Sequence, residues 1–156
     1  MRRKEKEVID SEIISTIIRD CSVCRLGLSL NDNPYIVPVS FGYDGASIYF
    51  HTAKKGKKIE YINANNKVCF ELERGVQVVP DESNACKWTF SFQSVIGYGK
   101  IYELKEKSDK IDGFNHIMEH YSKKKWVFDE KILKMVRLWK ILIDNMNVKQ
   151  SIENAS

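Results

Sequence analysis

A polar, basic turn joins an apolar strand pattern to a helix pattern in the first half of the chain. His51 and Thr52 close the strand with hydrogen-bond donors. Gly56 allows the backbone a close approach, and Lys57 and Lys58 fall in the first helical turn. Because that turn has unpaired N–H groups and a partial positive charge, an anion there gains roughly 0.3–1 kcal/mol. The turn therefore predicts a site for a phosphorylated ligand.

The same turn has a simpler interpretation, in which solvated lysines lie on the surface and His51 only ends the strand. Short basic turns are common, and the chain has neither a Walker pattern nor Gly-x-Gly-x-x-Gly after a strand. Spacing alone leaves both interpretations open. His51 is also the best available candidate for a catalytic role, because its charge changes near neutral pH, although donating to a phosphate requires no catalysis.

Length and composition indicate one globular domain covering residues 1–156. The net charge of +4 is spread along the chain, and its densest basic runs, 2–4 and 123–125, are typical of solvated surface, so no nucleic-acid partner is expected. The charged start does not resemble a signal peptide, and no apolar run approaches the ~20 residues that span a bilayer. We expect a cytoplasmic protein without a membrane partner.

Four cysteines are expected to be reduced in that compartment: Cys21, Cys24, Cys69 and Cys86. The spacing of Cys21 and Cys24 is that of half a zinc site, but no second close pair of Cys or His completes four ligands. The sequence therefore predicts no metal site.

Hydrophobic periodicity predicts a mainly β protein of about six antiparallel strands with two or three peripheral helices. The predicted strands cover 24–30, 35–41, 47–51, 67–73, 86–103 and 138–143. The first predicted helix has Asp10 or Ser11 as its N-terminal cap. Further helices are predicted over about 56–63, about 107–121 and 129–136. Residues 74–85 are predicted to form a polar loop, and the ends, 1–8 and 147–156, are predicted to be flexible.

Turn residues and glycines add detail to this sheet. Two successive hairpins imply an antiparallel meander over the first three strands. Because Pro38 cannot donate to a ladder, its strand should be an edge or contain a bulge. Gly97 and Gly99 suggest a bulge in the long strand, and long bulged strands are how small barrels close.

Five motifs, in this order, resemble the pyridoxamine 5′-phosphate oxidase-like flavoproteins, and within them the nitroimidazole-resistance (Nim) group. These motifs lie at residues 33–39, 49–52, 56–58, 86–89 and 94–99. The resemblance runs from Arg2 to about Ser151. It implies an FMN-binding split β-barrel that forms a homodimer with one FMN per subunit at the interface.

The resemblance also implies roles for particular residues. The FMN phosphate is expected at the strand-end pair and the basic pair already described, the isoalloxazine ring beside the backbone of the second strand, and further contacts from the long strand. The implied cofactor-binding residues are Pro38, Val39, Ser40, His51, Thr52, Lys57, Lys58, Ser94 and Val95.

The function implied is an FMN-dependent oxidoreductase that reduces small planar acceptors, such as nitroaromatic or nitroimidazole compounds, by hydride transfer, with NADH or NADPH as candidate donors. The substrate-gripping C-terminal segment of the true pyridoxamine phosphate oxidases has no counterpart here. The alternative is a non-catalytic flavin- or haem-binding module, with deazaflavin as another candidate cofactor. Haem needs an axial ligand, and besides His51 only His116 and His120, both expected on a helix surface, are available.

Overall fold

The structure, a computed structural model, describes residues 4–151 and confirms the mainly β fold, with eight strands instead of six. The strands are β1 (Glu7–Val8), β2 (Cys24–Leu30), β3 (Asn33–Val39), β4 (Phe41–Tyr43), β5 (Ser47–Thr52), β6 (Lys67–Val79), β7 (Thr89–Leu104) and β8 (Arg137–Ser151). The α-helices are α1 (Ser11–Asp20), α2 (Lys57–Ala64), α3 (Lys107–Ser122) and α4 (Glu130–Met135), and short 3-10 helices cover Lys4–Lys6 and Ala85–Lys87.

The strands form one antiparallel sheet in the order β3-β2-β6-β7-β8-β5-β4, with β1 also paired to β8. Its two edge strands, β3 and β4, are joined in the chain by Ser40 alone. Because a single residue can span only a few ångströms, the sheet must curl until its edges meet at Ser40. The result is a small barrel with a seam, and we call the junction between β3 and β4 at Ser40 the seam.

The predicted meander is wrong, because β3 pairs with β2 whereas β4 pairs with β5. The predicted strand 35–41 therefore contains parts of two strands that lie at opposite edges of the sheet. Pro38 does lie on an edge strand, as predicted. The predicted bulge near Gly99 is also confirmed, because the register between β7 and β8 shifts between Tyr98 and Gly99.

Two predicted irregular segments are strands. The loop predicted at 74–85 is wrong for its first part, because β6 continues to Val79 after a register shift between Arg74 and Gln77. Residues 147–151 belong to β8, and Glu7 and Val8 pair with it, so these parts of the predicted flexible ends are held by ladder hydrogen bonds. Residues 1–3 and 152–156 lie outside the described part.

Apolar side chains fill the barrel and a second layer outside it. The register aligns five buried residues across the barrel interior: Val39, Cys24, Leu72, Val95 and Val148. A second cluster lies between the outer face of β5 and β8 and the helices α3 and α4. The predicted cap of α1 is confirmed, because Asp10 accepts hydrogen bonds from the N–H groups of Glu12 (2.8 Å) and Ile13 (3.0 Å).

Across residues 4–151, none of the helices has the length and apolar character needed to cross a membrane.

Candidate functional site

The basic turn lies between the end of β5 and the start of α2, as the sequence predicts. Gly56 precedes α2 with a φ of 136°, a conformation that favours glycine, and no side chain caps the helix. A Cβ added at Gly56 would meet no atom within 4 Å, so the space beside Gly56 is open. Because no side chain caps them, the first N–H groups of α2 remain available to an anion.

His51 and Thr52 point to opposite faces of the sheet. The Thr52 side chain is buried; its hydroxyl donates to the Ala53 carbonyl (2.8 Å) and accepts from Nε1 of Trp139 (2.9 Å). His51 lies outside, with its ring centre 5.8 Å from that of Phe114 on α3. The strand period of two already implies this divergence. Only His51 presents its side chain to the outer face.

Lys57 and Lys58, the first two residues of α2, also differ from each other. The ammonium of Lys57 lies over the ring of Tyr35 on β3, 4.7 Å from its centre, and 5.7 Å from the ring centre of Tyr61. Lys58 is half-buried, and among the described residues it has no ion-pair partner. Burial and the nearby charge of Lys58 lower the pKa of His51. A positive, half-buried group beside a neutral imidazole favours an anionic ligand.

The predicted ring-binding segment lies next to this turn. Continuing the register of β4 and β5 by one residue places Ser40 beside His51. Pro38 and Ser40 are exposed, whereas the side chain of Val39 is buried in the barrel. The structure thus brings seven of the nine predicted residues to one end of the barrel: Pro38, Val39, Ser40, His51, Thr52, Lys57 and Lys58.

Ser94 and Val95 lie elsewhere. Leu104 at the end of β7 shares a register row with His51, through Leu138, and Ser94 is ten residues before it. Through β8 and β5 this separation corresponds to roughly 30 Å of extended strand, but in the other direction, through β6 and β2, Val95 shares a register row with Val39. The side chain of Val95 is fully buried inside the barrel. Ser94 and Val95 are thus three strands away from β3 in the sheet.

Sequence reasoning missed Arg137, which pairs with Thr52 in the sheet. Its guanidinium donates to both carboxylate oxygens of Glu103, at 2.8 and 2.6 Å, and lies over the ring of Trp139, 4.4 Å from its centre. The hydrogen bond from Arg137 lowers the pKa of Glu103. Arg137 is therefore already paired with a carboxylate, whereas Lys58 has no such partner within residues 4–151. Its only sequence signal was its position at the start of the last strand.

The two tryptophans considered for stacking have different surroundings. Trp139 is 3% exposed and parallel to Phe50, with ring centres 6.4 Å apart, so it belongs to the core. Trp88 is 56% exposed, and its Nε1 donates to the Asp81 carbonyl (2.7 Å).

The remaining histidines are half-buried, not exposed on the helix surface as expected. His116 stacks on Tyr49 with ring centres 4.7 Å apart and lines a pocket of about 480 Å³ between α3 and the outer face of β5 and β8. The Nε2 of His120 lies 2.8 Å from the Cys21 carbonyl. All four cysteines are free, and the described residues contain no group of three metal-ligating side chains.

The sequence and the fold are similar to those of known proteins. Residues 10–150 match the family model of pyridoxamine 5′-phosphate oxidase. The chain belongs to this family. It is also similar to the crystal structure of a proposed 5-nitroimidazole antibiotic resistance protein from Bacteroides thetaiotaomicron, with 30% identity, coverage of 92% of this chain and 85% of that one, and a TM-score of 0.81. The resemblance to the pyridoxamine 5′-phosphate oxidase-like and nitroimidazole-resistance proteins is thereby confirmed.

More distant structures share the fold. A flavocytochrome from Azotobacter vinelandii is 16% identical, with coverage of 98% of this chain and 72% of that one and a TM-score of 0.80. An FAD- and haem-binding protein from Mycobacterium smegmatis is 14% identical, with coverage of 95% and 74% and a TM-score of 0.84. No curated protein matches the sequence. The fold is therefore one that flavin- and haem-binding proteins also have.

Proposed function

We propose that this protein binds FMN and reduces small planar acceptors, such as nitroaromatic or nitroimidazole compounds. The observation that carries the proposal is the open turn before α2, where uncapped N–H groups, the unpaired Lys58 and the outward-facing His51 converge beside the seam. Bound FMN supplies the hydride chemistry, and the protein supplies binding, orientation and electrostatics. The name of the Bacteroides relative supports the choice of acceptor.

The residues of this chain have different roles in the proposed binding of FMN. Lys58 and the first N–H groups of α2 hold the phosphate, and His51 donates a hydrogen bond to it. Pro38, Val39 and Ser40 support the ring through their backbone. Thr52 contributes backbone contacts only, because its hydroxyl is bonded inside the barrel.

We also propose that the protein is a homodimer with FMN at the interface. The exposed apolar surface of one segment supports it. The outer parts of β6 and β7 with the turn between them, which we call the arm, carry four exposed apolar side chains that a partner would cover: Val76 (48% exposed), Val78 (56%), Trp88 (56%) and Phe90 (54%).

The dimer is tested by light scattering after size exclusion with the wild-type protein and Phe90→Lys. A wild-type mass of two chains that falls to one in the variant supports the interface. A monomeric wild-type protein contradicts it.

The cofactor is tested by an absorption spectrum during titration with FMN. Saturable binding with flavin bands near ~375 and ~450 nm supports the proposal, and these bands bleach when NADH or NADPH reduces the flavin and return when a nitro acceptor is added. Absence of FMN binding contradicts it. A cytoplasmic location, where nicotinamide donors are present, fits this function.

A non-catalytic haem- or flavin-binding module is the second candidate. For haem, the half-buried His116 would be the available ligand in a pocket of about 480 Å³, but the charged lining from Asp109, Asp112 and Glu119 does not suit an apolar haem ring. Titration with haemin distinguishes the two functions. A strong Soret band that His116→Ala abolishes supports haem, whereas FMN binding without reduction by either donor supports a carrier. Binding of a deazaflavin in preference to FMN would change the cofactor but leave the site the same.

A further inference from the structure

The last turn of α3 connects the two sides of the seam. The Tyr121 hydroxyl accepts a hydrogen bond from the Phe41 N–H (3.1 Å) and donates one to the Ser22 carbonyl (2.8 Å). Phe41 begins β4, whereas Ser22 leads into β2, whose first residue, Cys24, pairs with Val39 at the end of β3. One hydroxyl group thus links the start of β4 to the segment that leads into β2, the neighbour of β3.

Neighbouring contacts keep this hydroxyl in place. Gly42 lets α3 lie directly on β4, since an added Cβ would come within 2.3 Å of the His116 carbonyl carbon. The His120 ring lies 4.3 Å from the Phe41 ring, centre to centre, and its Nε2 lies 2.8 Å from the Cys21 carbonyl. The end of α3 is therefore fixed on both sides of the seam independently of Tyr121, so loss of the hydroxyl alone should leave the fold intact.

The hydroxyl also accepts a hydrogen bond from an amide on an edge strand. β4 is the last strand of the sheet, so an amide that points away from β5 has no ladder partner. Tyr121 supplies the acceptor that the missing strand would have supplied. Without it, the start of β4, next to Ser40, loses its hydrogen-bonded connection to the segment that leads into β2.

We propose that Tyr121 is a positioning residue for the cofactor. It fixes the backbone of 38–40, on which the flavin ring is expected to lie, relative to His51 and the phosphate-binding turn. The inference rests on the proposed FMN site but concerns how that site keeps its shape. Tyr121 does not touch the ring; it acts through the Phe41 amide and Ser40.

The test compares Tyr121→Phe with Tyr102→Phe, a control at a tyrosine of equal exposure, 44%. Hydrogen exchange is measured first, without cofactor. In Tyr121→Phe the Phe41 amide should exchange about tenfold faster, because it has lost its hydrogen bond to the hydroxyl and less free energy is needed to expose it to water. In Tyr102→Phe it should exchange at the wild-type rate. An unchanged rate in Tyr121→Phe overturns the link across the seam.

The second measurement is made with bound FMN. Tyr121→Phe should bind one FMN per chain, with about a threefold to tenfold weaker affinity, a shifted flavin absorption band and a changed reduction potential. A variant with faster exchange but an unchanged band and potential overturns the positioning role. If the wild-type protein binds no FMN, the proposed function fails and the positioning role fails with it, while hydrogen exchange still decides whether the hydroxyl links the seam.

Discussion

Replacing Lys57 and Lys58 separately tests the phosphate site most directly. The structure makes the two replacements unequal, although their positions are adjacent. Lys58 is half-buried and without an ion-pair partner among the described residues, so its ammonium is available to a phosphate. Lys57 already rests on the rings of Tyr35 and Tyr61.

The magnitudes follow from these surroundings. A charge-assisted hydrogen bond contributes about 1.5–3 kcal/mol, and each 1.4 kcal/mol changes the affinity about tenfold. Lys58→Ala should therefore weaken FMN binding about ten- to a hundredfold. The ammonium of Lys57 must leave a cation–π contact of about 0.5–1 kcal/mol before it can bind a phosphate, so the loss of affinity in Lys57→Ala should be about two- to fivefold smaller than that in Lys58→Ala.

The assay is a fluorescence titration of both variants with FMN and with riboflavin, which lacks the phosphate. Lys58→Ala should lose affinity for FMN and keep its affinity for riboflavin, so that the preference for FMN disappears. The double variant should bind FMN no more tightly than Lys58→Ala. Equal losses for FMN and riboflavin, or a larger effect at Lys57, would refute this reading of the turn.

Three further predictions concern stability. Gly42→Ala should lower the free energy of unfolding by about 3 kcal/mol in a urea titration, because the added Cβ would overlap the backbone of α3. The control Gly27→Ala, whose added Cβ has its nearest contact at 3.4 Å, should lower it by less than about 1 kcal/mol. Equal losses in the two variants would contradict the close approach of α3 to β4. Trp139→Phe should cost about 2–3 kcal/mol, through a cavity and the lost hydrogen bond to Thr52, and a value near zero would show that the bond is unimportant. Burial lowers the pKa of His120 below its usual 6.5, so the stability associated with its neutral form is present above that pH and is lost as the pH falls toward the lowered pKa. His120→Gln should therefore reduce the loss of unfolding free energy between about pH 7.5 and 5.5. An unchanged dependence of that free energy on pH would exclude His120 as the source of the loss.

Local patterns predicted much of the fold. The alternation from Cys24 to Leu30 gave both ends of β2, and the break at Gly56 placed the start of α2. These features depend on residues close together in the chain, where the strand and helix periods differ clearly. The basic turn was predictable for the same reason.

The seam was not predictable from local patterns. Residues 35–41 have one continuous strand pattern, and nothing in their types shows that Val39 and Phe41 pair with different partners. That division is set by pairings among strands far apart in the chain, which periodicity does not report. The same limit applies to Ser94, whose position relative to the turn depends on pairings among strands far apart in the chain.

The outer part of β6 was missed for another reason. Residues after Arg74 are mostly polar or exposed, because this arm extends beyond the barrel and has no core to bury. A strand without a buried face has no apolar alternation to detect. Its exposed valines became informative only when the structure placed them beside Trp88 and Phe90.

The single-residue seam makes barrel closure an all-or-none event. Val39 and Phe41 are almost neighbours in the chain, yet the path between them through the sheet crosses every other strand except β1. A slip of one residue in any of those ladders would turn that strand's inner side chains outward and displace one edge from the other. Ser40 has no spare length to absorb such an error. The barrel can therefore close only when all the ladders on that path are in register. Insertions should be tolerated at hairpin tips but not at Ser40.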